Sequence, residues 1–474
     1  MLIAVTLAAC STTDKTSTWL EPDLQLVPAV EFSDTNEKPT LSERMARYGV
    51  PAVSIALIEA NDITLEAYGL SDTESAQDIS TTMQLQAASI SKPVTAVAVM
   101  ALADAGLVDL DAPVNDYLAT WKLPDTDFNR DDPVTIRELL SHSGGISVPS
   151  YPGFERGADM PTVDDILTGA PNAYSDPVTS IAEQGTYRYS GGGYMVLQKI
   201  IEDVSGKSFE TFMQETLFAP SGMTSSTFNI QSEPDGLAFG HNWNGKRRVD
   251  PWQDYPQAAP AGLWSTPGDL ARWLVSYGKA YQGDRAQVIT TESARAMAEE
   301  IVDNTGLGFG VHGAGDALHV SHAGWTIGYR SYVFYFPESG DGIVIMTNSD
   351  AGHYLIDDML RTLGRAKGWP GFGQSVNATR VHWSEEKMDA MAGSYRMMPA
   401  RFVVTFNRKG NSFELSTPRG SSYTAVPTGP SSLILEETGD IITRDSETGV
   451  LQFWGMTATP EPDSDENKNT GGYL

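Results

Sequence analysis

The apolar residues of this chain change period along its length. Over 51–70, "PAVSIALIEANDITLEAYGL", two β-rich runs flank Ala60-Asn61-Asp62, and this pattern predicts a hairpin. Over 322–350, "HAGWTIGYRSYVFYFPESGDGIVIMTNSD", a second hairpin is predicted, turning at Glu338–Gly342. Between them the pattern becomes helical. The run from Val94 to Leu102 is apolar on all faces and Pro93 suits a first helical position, so a buried helix is predicted over 91–106. Further helices are predicted at 135–142, 193–206, 266–280 and about 352–367. Strands on both sides of a mostly helical middle predict an α+β domain: one antiparallel sheet flanked by helices, with a helical lobe inserted. Residues 368–377, "GWPGFGQSVN", read as a linker. Beyond them, short β-like runs separated by turn residues predict a small all-β module, a barrel or sandwich, over 378–457. Residues 458–474 read as a disordered tail, and the polar, Pro-bearing stretch 11–40 as a tether to a main domain at 41–367.

Composition agrees with two folded parts, since 474 residues exceed one ordinary core. A hydrophobic content of 41% is that of a globular chain. The net charge of −29 repels nucleic acid and anionic headgroups, so neither is expected as a partner. Cys10 is the one cysteine, which leaves no disulfide. It closes the uncharged apolar run "MLIAVTLAAC" and precedes polar "STTDKTST", a pattern that resembles the lipobox of bacterial lipoproteins. The resemblance implies a signal over residues 1–10, cleavage before Cys10 and lipidation there. The mature protein would be tethered at the periplasmic face of a bacterial membrane, or otherwise secreted. No Lys or Arg precedes the run, as signal peptides normally have, which is compatible with a start further upstream. No other stretch reaches the roughly 18 apolar residues needed to cross a bilayer.

The buried helix has a polar head, Ser89-Ile90-Ser91-Lys92. Residues three apart share a helix face, so Lys92 can reach the Ser89 hydroxyl. The unpaired N–H groups and positive dipole of a first turn stabilise an oxyanion there. The apolar remainder would desolvate Lys92 and lower its pKa. Taken alone, S-x-x-K is a weak signal, and capping serines account for it better.

Two further stretches change that balance. Tyr189-Ser190-Gly191 stands just before the helix in "GTYRYSGGGYMVLQKIIEDVSG", and His322-Ala323-Gly324 opens a strand in "VSHAGWTIGYRSYVFYFP". With "LLSHSGGI" at 139–146 and "PAGLWSTPGDLARW" at 260–273, their order resembles the serine β-lactamase-like hydrolases: class C β-lactamases, D-Ala-D-Ala carboxypeptidases, D-aminopeptidases and family VIII esterases. The β-module resembles the lipocalin-like domain that some members carry. The resemblance implies that Ser89 is the nucleophile and forms an acyl-enzyme, with Lys92 beside it. It also implies that Tyr189 acts with the lysine as general base and returns the proton to the leaving group. A tyrosine near an ammonium is expected to ionise below its free pKa of about 10. The resemblance further implies that the backbone N–H groups of Ser89 and Trp325 form the oxyanion hole and that Ser190, Gly191, His322 and Gly324 line the substrate.

Two positions depart from the family pattern. Many members have Asn where Gly191 stands, and glycine loses that amide's contacts, worth about 1 kcal/mol. His322 replaces the lysine of K-T-G, so binding of a substrate carboxylate would weaken above the histidine's pKa. Both lean toward an ester, amide or small peptide rather than a β-lactam. A peptidoglycan D,D-carboxypeptidase or D-aminopeptidase is the alternative within the class, and a non-catalytic binder of cell-wall peptide or β-lactam the alternative outside it. There is no G-x-S-x-G, H-E-x-x-H, Walker or dinucleotide motif, and the seven histidines show no metal-ligand spacing, so neither cofactor nor metal is expected.

Overall fold

Ala60 and Asn61 both take positive φ, 49° and 71°, the backbone that a two-residue hairpin loop demands. They join Ala52–Glu59 to Asp62–Asp72 as an antiparallel pair. Ala52–Glu59 is buried at every position but its last, so both faces are covered and the strand sits inside the sheet. On its other side it pairs with Asp341–Thr347, which continues to Tyr329–Phe336, His319–Thr326 and Gly310–His312. The expected second hairpin is thus part of a longer meander, because His319–Thr326 pairs along its length with Tyr329–Phe336. Lys15–Thr16 adds a parallel pairing to Asp62–Asp72. The sheet is therefore built from sequence on both sides of the helical middle, as its pattern predicts.

The computed structural model describes residues 15–16, 20–35, 38–229, 236–284, 287–418 and 420–461. The signal segment with Cys10 lies outside them. The helices Ser91–Asp104, Gly191–Ser205 and Pro267–Tyr281 supply much of the first core, with Val94, Val97, Met195, Leu197, Trp273 and Leu274 all buried. Among the described residues, no helix is long and apolar enough to cross a membrane.

The chain divides into two compact units, one formed by 1–21 with 50–353 and the other by 22–49 with 354–474. That division corrects the expected boundaries. Residues 20–35 are no free tether: Leu26, Val27, Ala29 and Val30 are buried. Val30–Phe32 pairs with Val376–Ala378, at the end of the stretch expected to be a linker. Leu41–Tyr48, assigned by sequence to the main domain, is a helix of the second unit; Tyr48 donates to Asp358 at 2.8 Å and Arg47 pairs with Glu437 at 2.7 Å.

The β-module is a closed barrel of eight strands, Gly393–Met398 through Met456–Pro460. Each pairs antiparallel with the next, and the last pairs with the first. Residues 458–460, expected to lie in the tail, belong instead to the closing strand; residues 462–474 lie outside the described ones. Tyr395, Phe406, Phe413, Leu415, Leu433 and Phe453 fill the barrel core, joined by Met388 and Met391 of the helix Glu385–Met391. Side chains occupy the interior of this barrel.

Candidate active site

Ser89 sits on the turn between the strand Leu85–Ala88 and the helix Ser91–Asp104. Ala88 takes φ 51°, a left-handed backbone that costs a non-glycine residue roughly 1–2 kcal/mol. Local bonds hold it there: Ser91 Oγ donates to Ala88 O at 2.5 Å and accepts from Leu263 N–H at 3.0 Å. The helix's N-cap, Ile90, makes no side-chain cap bond, so the Ser89 hydroxyl is not spent on capping.

Lys92 is 2% exposed, with Nζ 3.1 Å from Ser89 Oγ and 2.8 Å from Pro260 O. Burial among apolar neighbours pulls its pKa down to about 7. An amine near neutrality gives one N–H to the Pro260 carbonyl and keeps a lone pair for the serine proton. The short helix Ala258–Ala261 carries that carbonyl, and Gln198 Oε1 steadies it by accepting from Ala259 N–H at 3.0 Å.

The Tyr189 ring lies 4.7 Å from Lys92 Nζ. Its pKa is not lowered, as the sequence suggested, but pushed up to about 12, because burial outweighs the hydrogen bond with Ser89. At neutral pH Tyr189 holds its proton, and Lys92 is the group closer to taking one. His322 is half-buried, its ring centroid 6.4 Å from that of Tyr189. Burial and the Lys92 ammonium hold its pKa well below the usual histidine range. Its Nδ1–H donates to Ala323 O at 2.8 Å, which leaves Nε2 as an acceptor. Neutral His322 offers a substrate carboxylate no cation.

Ser190 corrects an expectation. It is buried, accepts from Gly193 N–H at 2.9 Å as the N-cap of Gly191–Ser205, and donates to Ser147 O at 2.7 Å. Its hydroxyl holds the fold and does not face a substrate. Gly191 has Tyr151 beside it, where an added Cβ would lie 3.1 Å from the ring. Gly324 has a steric reason: a Cβ there would lie 2.2 Å from Ala87 O and 2.1 Å from Ser331 Oγ. Its strand presses against the segment that carries Ser89, and Ser331 Oγ donates to Ala87 O at 2.9 Å. This contact packs the strand at Gly324 against the strand Leu85–Ala88 that leads into Ser89. Gly324→Ala is expected to lower kcat by on the order of 100-fold and stability by roughly 1–3 kcal/mol, read from kinetics and a thermal melt.

Sequence reasoning gave no role to His142 or to the Pro260 carbonyl, although both lie in quoted stretches. A backbone acceptor leaves no residue signature, and a lone histidine gains meaning only from its neighbours in space. Among the described residues, no group of three or more His, Cys, Asp or Glu could hold a metal.

A serine on a strained turn, a buried lysine near neutrality and a protonated tyrosine, set between an antiparallel sheet and a helical lobe, define a hydrolase of the serine type. The family described as Beta-lactamase matches residues 38–365, more than half of the chain, and the chain belongs to it. The chain is 27% identical over 334 residues to Penicillin-binding protein 4 of Amycolatopsis lactamdurans, covering 66% of this chain and 85% of that one. It is 24% identical over 321 residues to Protein flp of Staphylococcus aureus, where 63% of this chain spans 60% of the relative's length. Its fold is similar to that of the octameric penicillin-binding protein homologue from Pyrococcus abyssi, with a TM-score of 0.61 at 23% identity over 88% of this chain and 98% of that one.

Proposed function

We propose that the protein hydrolyses an ester, amide or small peptide through an acyl-enzyme on Ser89. One observation carries this reading: Lys92 Nζ, buried and drawn down to about 7, stands 3.1 Å from Ser89 Oγ. In acylation, Ser89 Oγ attacks the substrate carbonyl carbon and its proton passes to the Lys92 amine. The carbonyl oxygen becomes an oxyanion, to be met by the backbone N–H groups of Ser89 and Trp325. When the bond to the leaving group breaks, Tyr189 gives that group a proton and is reprotonated from Lys92. Water then attacks the acyl carbon, losing its proton along the same path, and Ser89 recovers its hydrogen as the acid leaves.

Gly191 and a neutral His322 supply neither an amide nor a cation, and this favours substrates that need no carboxylate anchor. A second reading, a peptidoglycan-directed D,D-peptidase, draws on the 27% identity to a penicillin-binding protein. For the cell, we propose export and lipidation at Cys10, on the lipobox-like sequence alone.

Two probes separate the readings: a fluorophosphonate and a fluorescent penicillin, with adducts read by intact mass. Labelling by the fluorophosphonate alone is expected, as for an esterase or amidase. Labelling by both favours the peptidase. Labelling by neither makes the protein a binder and overturns the catalytic reading.

A further inference from the structure

His142 is a buried histidine that none of the chemical steps above uses. It touches the backbone on both sides of Tyr189. Its carbonyl accepts from Arg188 N–H at 2.8 Å, and its ring Nδ1 accepts from Ser190 N–H at 3.1 Å. Between those two anchors its ring lies 4.4 Å from that of Tyr189, tilted by 40°, and 5.2 Å from that of Tyr194. One residue therefore brackets Tyr189 before, behind and across its ring face. The bracket carries a backbone cost, since His142 takes φ 57°. Histidine, asparagine and aspartate tolerate that left-handed region better than most side chains.

We infer that His142 is the positioning residue for Tyr189, acting as a fixed hydrogen-bond acceptor that sets the tyrosine hydroxyl against Ser89 and Lys92. The inference rests on the hydrolase reading above. The bond from Ser190 fixes the tautomer: Nδ1 carries the lone pair and Nε2 the hydrogen. Burial and the neighbouring Lys92 and His322 all disfavour the imidazolium, which would lose this acceptor. His142 thus acts through geometry, by keeping Tyr189 where a proton transfer is short. A displacement of about 1 Å at such a site costs on the order of 100-fold in rate.

Two variants separate this from a merely structural role. His142→Leu keeps bulk and removes the acceptor; His142→Asn keeps an acceptor oxygen and tolerates the left-handed backbone. The second-order rate of fluorophosphonate labelling at Ser89 is measured from pH 6 to 9, with kcat and KM for an ester substrate alongside. His142→Leu is expected to slow labelling by roughly 10–100-fold, through kcat more than KM. His142→Asn is expected to stay within a few-fold of the wild type and to keep its pH limb in place, as a non-titrating acceptor requires. A Leu variant labelled at the wild-type rate overturns the inference, and so does an Asn variant that loses as much as the Leu variant or loses the pH limb. If His142→Leu fails to fold, His142→Asn decides alone: a tenfold or greater loss counts against the role, and a retained rate with an unshifted limb supports it. Wild-type protein that does not label at Ser89 removes the hydrolase reading itself, before any variant is compared.

Discussion

Ser89→Ala is expected to abolish covalent labelling and to lower kcat by on the order of 10⁴-fold or more, while the fold stays intact. The hydroxyl is the one nucleophilic atom that Lys92 reaches at 3.1 Å, and alanine leaves nothing for the amine to deprotonate. Residual turnover would come only from substrate binding and the backbone donors. Little structural loss follows, because the Ser89 hydroxyl caps no helix, whereas Ser91 holds both Ala88 and Leu263. Intact mass after exposure to the fluorophosphonate is the measurement. A stoichiometric adduct on the alanine variant would place the nucleophile elsewhere, and wild-type turnover in that variant would refute the mechanism.

Lys92→Met carries the second large effect, and it acts on activity and stability in opposite directions. Without the base, kcat/KM is expected to fall by on the order of 10³-fold or more. Stability is expected to rise, because the native state no longer buries an amine that prefers its charged form in water. The sign follows from the proton balance. The unfolded lysine titrates near 10.5 and the folded one near 7. Between these values the unfolded chain binds more protons, so wild-type stability climbs as pH rises from 7 to 10.5. The advantage of the methionine variant is therefore greatest below pH 7 and shrinks toward pH 10.5. Thermal melts at pH 6 and pH 9 read it directly. In the wild type, the acylation rate should rise with pH and level off above about 7 as Lys92 loses its proton. A profile that is flat from pH 5 to 8 would exclude Lys92 as the base.

Periodic features were legible where their cause was local. The hairpin at Ala60-Asn61 follows from turn chemistry between two β-rich runs. The helix at 91–104 follows from an apolar run behind Pro93. Ser89, Lys92 and Tyr189 could be named because spacing and motif order constrain them. What escaped depends on distant partners. Leu26, Val27, Val30 and Phe32 are too few, and too broken by Pro28, to announce a folded segment; Val30–Phe32 is a strand because Val376–Ala378 lies beside it. Tyr189 was expected to ionise early because the ammonium is visible in the sequence and the depth of burial is not. Ser190 looked available for substrate because its motif places it between two functional positions; only the fold shows its hydroxyl turned to Ser147 and Gly193. His142 stands in a quoted stretch and gains a role only from its fold partners, with Arg188 bonded to its carbonyl and Ser190 to its ring.

The pairing of Val30–Phe32 with Val376–Ala378 also sets an order of events during synthesis. A ribosome adding 5–20 residues per second needs on the order of tens of seconds to pass from the first of these strands to the second. Throughout that interval the early strand has no partner, while the sequence of the whole catalytic unit is made and can begin to fold. The second unit cannot finish until the last quarter of the chain emerges. Until then its early segment, with Leu26 and Phe32 buried in the finished unit, has those side chains uncovered. A nascent chain stalled before residue 376 would leave that segment unpaired and open to proteolysis.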